Sequence, residues 1–210
     1  MQITLIDGIT ETRNHWEWRR GWQPGRRNYT FHLTMEQAPA VHEIADRVGT
    51  ALGRHPELDL IPRQWLHLTM TGIGFTDEID EQHVAAIADP VFEAWRVLQG
   101  PELTFTGLLV ADEAVMLTAE VPEWLTVLLE TQRAGVDEVR GPRQWGPFRP
   151  HVSLSYSNGT APIGPIVDDL SQVAAGLDES VSVTPTLTLM RLGKDNRMWE
   201  WDVLRQEPAC

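Results

Sequence analysis

The sequence predicts an α+β fold with mainly antiparallel sheets, on the strength of two observations. Strand-like runs of alternating polarity are separated by longer stretches in which apolar residues recur with helical periodicity. The order strand, helix, strand also occurs twice: His32 precedes His67 by 35 residues, and Met116 precedes His151 by the same 35. An internal repeat of this kind indicates a chain built from two similar halves.

The first half begins with a strand at residues 29–35. Pro39 opens a helix that runs to about residue 53 and carries one apolar stripe, formed by Val41, Ile44, Ala45, Val48 and Leu52. A turn-rich connection then leads to the strand that carries His67. A second helix is predicted at residues 77–98, with Pro90 as a kink or a restart.

The second half repeats this plan. Helices are predicted to start at Pro122 and near residue 165, and a loop rich in proline and glycine, residues 141–150, leads into the strand that carries His151. Four further strands are predicted from alternating polarity, at residues 103–110, 115–120, 181–189 and 199–203.

Two of the predicted strands carry the same pair of polar residues. Because side chains alternate along a strand, His67 and Thr69 share one face, and His151, Ser153 and Ser155 share one face of the other strand. Apolar residues occupy the opposite faces. Two such strands side by side would form a site with two imidazoles and two hydroxyls.

A third copy of the pattern, His32 followed by Thr34, must be weighed against the other two. The repeat pairs His67 with His151 but places His32 opposite Met116. A duplicated catalytic pair would not have methionine as one member. We therefore interpret His32 as an ordinary strand residue.

Residues 65–72 (Trp-Leu-His-Leu-Thr-Met-Thr-Gly) and 148–154 (Phe-Arg-Pro-His-Val-Ser-Leu) resemble the paired motifs of the 2H phosphoesterase superfamily. This superfamily includes bacterial 2′-5′ RNA ligase-like proteins and cyclic nucleotide phosphodiesterases. Tyr156 is similar to the tyrosine that follows the second motif in plant cyclic phosphodiesterases. The resemblance covers about residues 29–205. It implies two pseudo-symmetric lobes, with helices outside and a central cleft lined by the two motif strands.

The resemblance implies a hydrolase of phosphodiester bonds, in RNA processing, that opens 2′,3′-cyclic nucleotide phosphates, with reversible 2′-5′ RNA ligase activity as a second reaction. His67 and His151 would be the acid–base pair, and Thr69 and Ser153 would hold phosphate oxygens. No metal or nucleotide cofactor is needed. Which histidine is the base stays open, and so does the position of the product phosphate, although a 2′-phosphate is favoured.

Arg149 and Tyr156 are weaker candidates, as substrate contacts. In an ideal strand Tyr156 faces away from His151, so a bulge or a strand end would be needed to bring it round. The alternative function is a non-catalytic module that binds nucleotides or RNA ends. Retention of both motifs argues against it.

The net charge of −13 makes the chain a poor non-specific binder of polyanions. Acidic residues are nevertheless absent from residues 60–76 and 139–167, the windows that contain the two motifs. This distribution favours a local anion site for a small nucleotide or a short RNA with a cyclic phosphate. Buried strands that simply lack acids are the alternative explanation.

Residues 1–28 lie outside the resemblance, as does a tail at residues 206–210. The first segment holds Trp16, Trp18 and Trp22 among five arginines. Aromatic residues interleaved with arginine would suit base stacking and phosphate binding, with Arg19, Arg20, Arg26 and Arg27 as an RNA-tracking arm. We favour the other interpretation, a flap whose tryptophans pack on the domain.

Composition narrows the remaining classes. Cys210 is the only cysteine, which excludes an internal disulfide and makes thiolate chemistry improbable. The sequence contains no apolar run of membrane-spanning length, and its first residues do not resemble a secretory signal. A monomeric cytoplasmic protein with no membrane partner is expected.

Overall fold

A computed structural model describes residues 1–19 and 21–209. In this part of the chain the α-helices are α1 (Pro39–Leu52), α2 (Glu81–Arg96), α3 (Glu123–Arg140) and α4 (Gly164–Ala174). The strands are β1 (Gln2–Leu5), β2 (Asn28–Thr34), β3 (Leu58–Leu60), β4 (His67–Phe75), β5 (Leu103–Val110), β6 (Ala114–Ala119), β7 (His151–Ser157), β8 (Val181–Val183), β9 (Thr186–Gly193) and β10 (Glu200–Pro208). The predicted α+β class is confirmed.

The strands form one sheet whose two halves meet at its centre. The order is β1-β5-β6-β7-β4-β2-β9-β10, with β3 paired to β7 and β8 paired to β5. All pairs are antiparallel except β1 with β5. The central strands β4 and β7 are joined through the pair Leu68–Val152. Beyond this pair β7 is bonded to β3 instead, so in the described part of the chain one bridge joins the β4 half-sheet (β4, β2, β9, β10) to the β7 half-sheet (β7, β6, β5 and their attached strands).

The two halves have the same strand register once the second is shifted by 84 residues. The equivalent cross-strand pairs are Thr34–His67 and Thr118–His151, Leu33–Leu68 and Leu117–Val152, His32–Thr69 and Met116–Ser153, and Thr30–Gly72 and Ala114–Tyr156. Each central strand also carries an extra residue at the equivalent place, between Thr69 and Gly72 in β4 and between Ser153 and Tyr156 in β7, and β4 has a second one between Gly72 and Gly74. The predicted internal repeat is confirmed, including a β-bulge at the same place in both halves.

The helices cross between the halves. Helix α1 follows β2 of the β4 half-sheet, but it packs against α4, β7 and β8. Helix α3 follows β6 of the β7 half-sheet, but it packs against α2 and β4. The apolar stripe of α1 is buried as predicted, at Val41, Ile44, Val48 and Leu52. Because each half buries a helix from the other, the halves share their cores and are held in a fixed mutual position.

Two predicted boundaries need correction. Residues 181–189 are not one strand: the chain leaves β8 after Val183, and β9 begins at Thr186 beside a different partner. Pro185 lies at this break, where its missing N–H and fixed φ suit a change of direction. The predicted tail also begins too early, because β10 continues through residues 206–208.

Residues 1–28 are integrated into the fold. Strand β1 extends the β7 half-sheet beyond β5, and Thr12 and His15 bond through their backbone N–H groups to Ala161 and Ser157. Trp16 is buried, which supports the packing interpretation over the free arm. Arg20 and Cys210 lie outside the described residues. Among the described residues, no helix is long and apolar enough to cross a membrane.

Candidate active site

Each motif histidine is the first residue of a central strand, and the backbone holds its ring. The Nδ1–H of His67 donates to the carbonyl of Trp65 at 2.8 Å, and the Nδ1–H of His151 donates to the carbonyl of Arg149, also at 2.8 Å. In both cases the acceptor lies two residues earlier. With Nδ1 committed as a donor, Nε2 is the nitrogen left to exchange a proton in both rings.

The pair Leu68–Val152 brings the four predicted catalytic side chains together. Because β4 and β7 run antiparallel, this pair places His67 alongside Ser153 and His151 alongside Thr69. All four side chains line one cavity of about 580 Å³. Each imidazole thus has beside it a hydroxyl from the other motif.

The two imidazoles lie in unequal surroundings. His67 is 6% exposed, and the ring of Trp201 meets it edge-on at 5.2 Å. Burial lowers the pKa of His67 to about 4; the bond to the Trp65 carbonyl opposes this shift, and the nearby His151 adds to it. His151 is half-buried. His67 is therefore neutral near pH 7, with a free lone pair on Nε2.

His32, interpreted from the sequence as an ordinary strand residue, lies in the wall of the same cavity. Its ring is fully buried and stacks on that of His67, with centroids 4.4 Å apart and planes 20° from parallel. Its Nδ1–H donates to the Phe31 carbonyl, and its buried Nε2 has no hydrogen-bond partner among the described residues. Burial, with His67 beside it, holds the pKa of His32 well below its usual value. The equivalence to Met116 is right, but a residue opposite Thr69 on the next strand must face the same cavity.

Tyr156 lies in the cavity wall, because the bulge in β7 turns it to the face of Ser153. It is buried, and burial raises the pKa of its phenol to about 12, with the Ser153 hydroxyl opposing the shift. Arg149 lies differently. Its carbonyl holds His151, but its exposed side chain is not among the described residues that line the cavity.

The N-terminal segment supplies a wall that the motifs did not predict. His15, Arg19 and Trp22 line the same cavity, opposite residues from both half-sheets. The ring of His15 stacks on Tyr156 at 4.1 Å, and its Nε2 accepts a hydrogen bond from Trp199. Only the unusual run of tryptophan and arginine in the sequence pointed to this segment.

The cavity is less purely basic than the acid-free windows suggested. Asp112 and Glu113, which lie outside both windows, also line it. Their charge is offset locally, since Arg13 pairs with both carboxylates and Arg19 pairs with Glu113.

A second cavity of about 580 Å³ lies at the start of α2, lined by Asp77, Glu78 and Asp80 among others, and contains neither motif. We therefore assign the candidate active site to the cavity that both motifs line.

Comparisons with known proteins identify the family of this chain. The family model of the 2′-5′ RNA ligase superfamily matches residues 37–196, and the chain belongs to that superfamily. Membership supports an enzyme that acts on phosphodiester bonds. A comparison with curated protein sequences gives no match.

Solved structures show the same fold. The crystal structure of TT0787 of Thermus thermophilus has a TM-score of 0.64 and 17% identity, covering 86% of this chain and 97% of that one. LigT of E. coli, complexed with 3′-AMP, has a TM-score of 0.58 and 18% identity, covering 88% and 98%. A third structure, described as a phosphoesterase, has a TM-score of 0.58 and 20% identity over 87% and 98%.

Proposed function

We propose that this protein opens 2′,3′-cyclic nucleotide phosphates by a metal-independent reaction of His67 and His151. One observation carries the proposal: two imidazoles, each fixed through Nδ1 by a backbone carbonyl, share a cavity with two hydroxyls from the opposite motifs. Hydrolysis of a cyclic phosphodiester needs a base for water and an acid for the departing ribose oxygen. The same groups would serve 2′-5′ joining, in which a ribose hydroxyl replaces water as the nucleophile that opens the cyclic phosphate.

The unequal surroundings of the histidines support an assignment of roles. His67 is buried and neutral, so its Nε2 would accept the proton of the attacking water. His151 is half-buried and more accessible to solvent, so in its protonated form it would donate to the leaving oxygen. Thr69 and Ser153 would donate hydrogen bonds to the phosphate oxygens as negative charge develops there.

Charge and cavity size favour a small substrate. A cavity of about 580 Å³ is of the size that holds a small-molecule ligand. The chain carries −13 overall, so a long RNA would be repelled by most of the surface. LigT, which has the same fold, has been crystallised with 3′-AMP, ATP and phosphate, which supports the choice of a nucleotide.

The test is turnover of 2′,3′-cyclic AMP, followed by phosphorus NMR so that 2′- and 3′-phosphate products are separated. We expect a phosphomonoester product, and we expect an excess of EDTA to leave the rate unchanged, since both proton transfers are assigned to imidazoles. Chelator-sensitive activity that a divalent ion restores would contradict the mechanism. Saturable binding without any product would instead indicate a nucleotide-binding or RNA-end-binding module.

A further inference from the structure

The N-terminal part of the cavity wall lies outside the family match. His15, Arg19 and Trp22 line the cavity, whereas the superfamily model begins at residue 37. The residues matched by the family model and the two motifs therefore do not include this wall.

Hydrogen bonds attach the N-terminal segment to the rest of the protein. The backbone N–H of His15 donates to the Ser157 carbonyl at 2.8 Å, and the Trp16 indole donates to Asp59 at 2.8 Å. The ammonium of Lys194, which is almost fully buried, donates to the Glu17 carbonyl at 2.8 Å. These bonds reach both half-sheets, so they fix the position of the segment beside the four candidate catalytic residues.

Two indoles form a corner in this wall. Trp22 and Trp199 both line the cavity, with centroids 5.2 Å apart and planes at 73°. A flat heteroaromatic ring that stacks on one indole would present its edge to the face of the other, and both arrangements are favourable for π systems. Arg19, whose side chain is 59% exposed, lies on the same wall and can donate to ring or phosphate oxygens.

We propose that Trp22 and Trp199 bind the base of the nucleotide whose cyclic phosphate lies between His67 and His151, with Arg19 as a polar contact. The proposal rests on the proposed function, and it makes the N-terminal segment a determinant of specificity for nucleosides over other cyclic phosphates. Stacking of a base on an aromatic side chain typically contributes enough affinity for an effect of about tenfold or more.

The experiment compares two substrates and a matched pair of variants. One substrate is 2′,3′-cyclic AMP, and the other is the 2,3-cyclic phosphate of methyl riboside, which has no base. Trp22→Leu removes the proposed stacking surface, and Trp22→Phe keeps a smaller one. Trp18→Leu is the control, because Trp18 belongs to the same segment, is 46% exposed and is not among the cavity-lining residues.

We expect Trp22→Leu to lower kcat/KM about tenfold for cyclic AMP and to leave it unchanged for the substrate without a base. Trp22→Phe should fall in between, and Trp18→Leu should match the wild type on both. Equal losses on both substrates, or no loss on cyclic AMP, would overturn the proposal.

Failure of the proposed function would be visible separately. If the wild type converts neither substrate, the subsite is tested by calorimetric titration with adenosine 2′-monophosphate. A dissociation constant raised about tenfold in Trp22→Leu but not in Trp18→Leu would then support the subsite without the reaction. Equal binding by the wild type and both variants would overturn it.

Discussion

The half-sheet around His67 and the half-sheet around His151 have the same strand register, but different side chains surround the two histidines. Their registers coincide pair by pair, and both central strands bulge at the same place. The side chains at equivalent positions differ, however: His32 in the first half corresponds to Met116 in the second, and Gly72 corresponds to Tyr156. The repeated backbone places two imidazoles alike, and the unmatched neighbours give them different surroundings.

That difference has a chemical consequence. The ring of His67 contacts the rings of His32 and Trp201, and burial lowers its pKa to about 4. His151 stays accessible to solvent. Burial therefore keeps His67 neutral near pH 7, and the two histidines differ in their access to solvent.

The largest expected effect comes from removing either imidazole. We expect His67→Ala and His151→Ala each to lower kcat for a cyclic nucleotide by about a thousandfold, within the range for general acid–base groups. The wild type should show a bell-shaped pH dependence of kcat/KM, since one imidazole must be neutral and the other protonated. Circular dichroism would verify the fold. If a variant keeps a tenth of the wild-type activity, the histidine that it lacks is not the acid or the base of the reaction.

The hydroxyls should give the next largest effect, and an equal one. Thr69→Val and Ser153→Ala each remove one donor to the phosphate, and losses of about a hundredfold in kcat are expected. Because the two positions are equivalent in the repeat, the losses should agree within a few-fold. A loss confined to one of the two variants would show that only one half contacts the phosphate.

A smaller effect is expected from making the halves alike. His32→Met gives the β4 half-sheet the residue that stands at the equivalent position in the other half. We expect kcat to fall about tenfold, because the ring of His67 loses its stacked support and its alignment. Met116→Leu is the control and should be near wild type. Unchanged kcat in His32→Met would show that His32 does not position the ring of His67.

The smallest effect concerns stability in acid. His67 has a lowered pKa in the folded protein, so between about pH 6.5 and 4 the unfolded chain binds a proton there that the folded chain does not. The free energy of unfolding therefore falls as the pH is lowered through this window. In His67→Gln that fall should be smaller by about 1 kcal/mol between pH 6 and 5. Urea titrations at the two pH values measure it, and an unchanged difference would mean that His67 is not buried as described.

Local patterns predicted the parts of the molecule that depend on neighbours in sequence. The fold class was predicted from the 35-residue spacing within each half. The candidate catalytic residues were predicted from the alternation of His67 with Thr69 and of His151 with Ser153. The break at Pro185 was also a local signal, but the alternation of apolar residues on both sides concealed it.

What escaped prediction depends on contacts between distant segments. No local pattern shows that α1 and α3 cross to the opposite half-sheets, or that Trp22 returns to meet Trp199. The bulge that turns Tyr156 into the cavity follows from pairing with β6, which the sequence of β7 alone does not contain. His32 was set aside because its repeat partner is methionine, although the same register places it opposite Thr69.

The most direct test of the central claim is a double-mutant cycle on the two histidines. Rates for a 2′,3′-cyclic nucleotide are measured for the wild type, His67→Ala, His151→Ala and the double variant. If the two imidazoles act as one acid–base unit, the double variant should be no more than a few-fold slower than the slower single variant. Losses that add fully in log rate would show two independent contributions and would contradict the account.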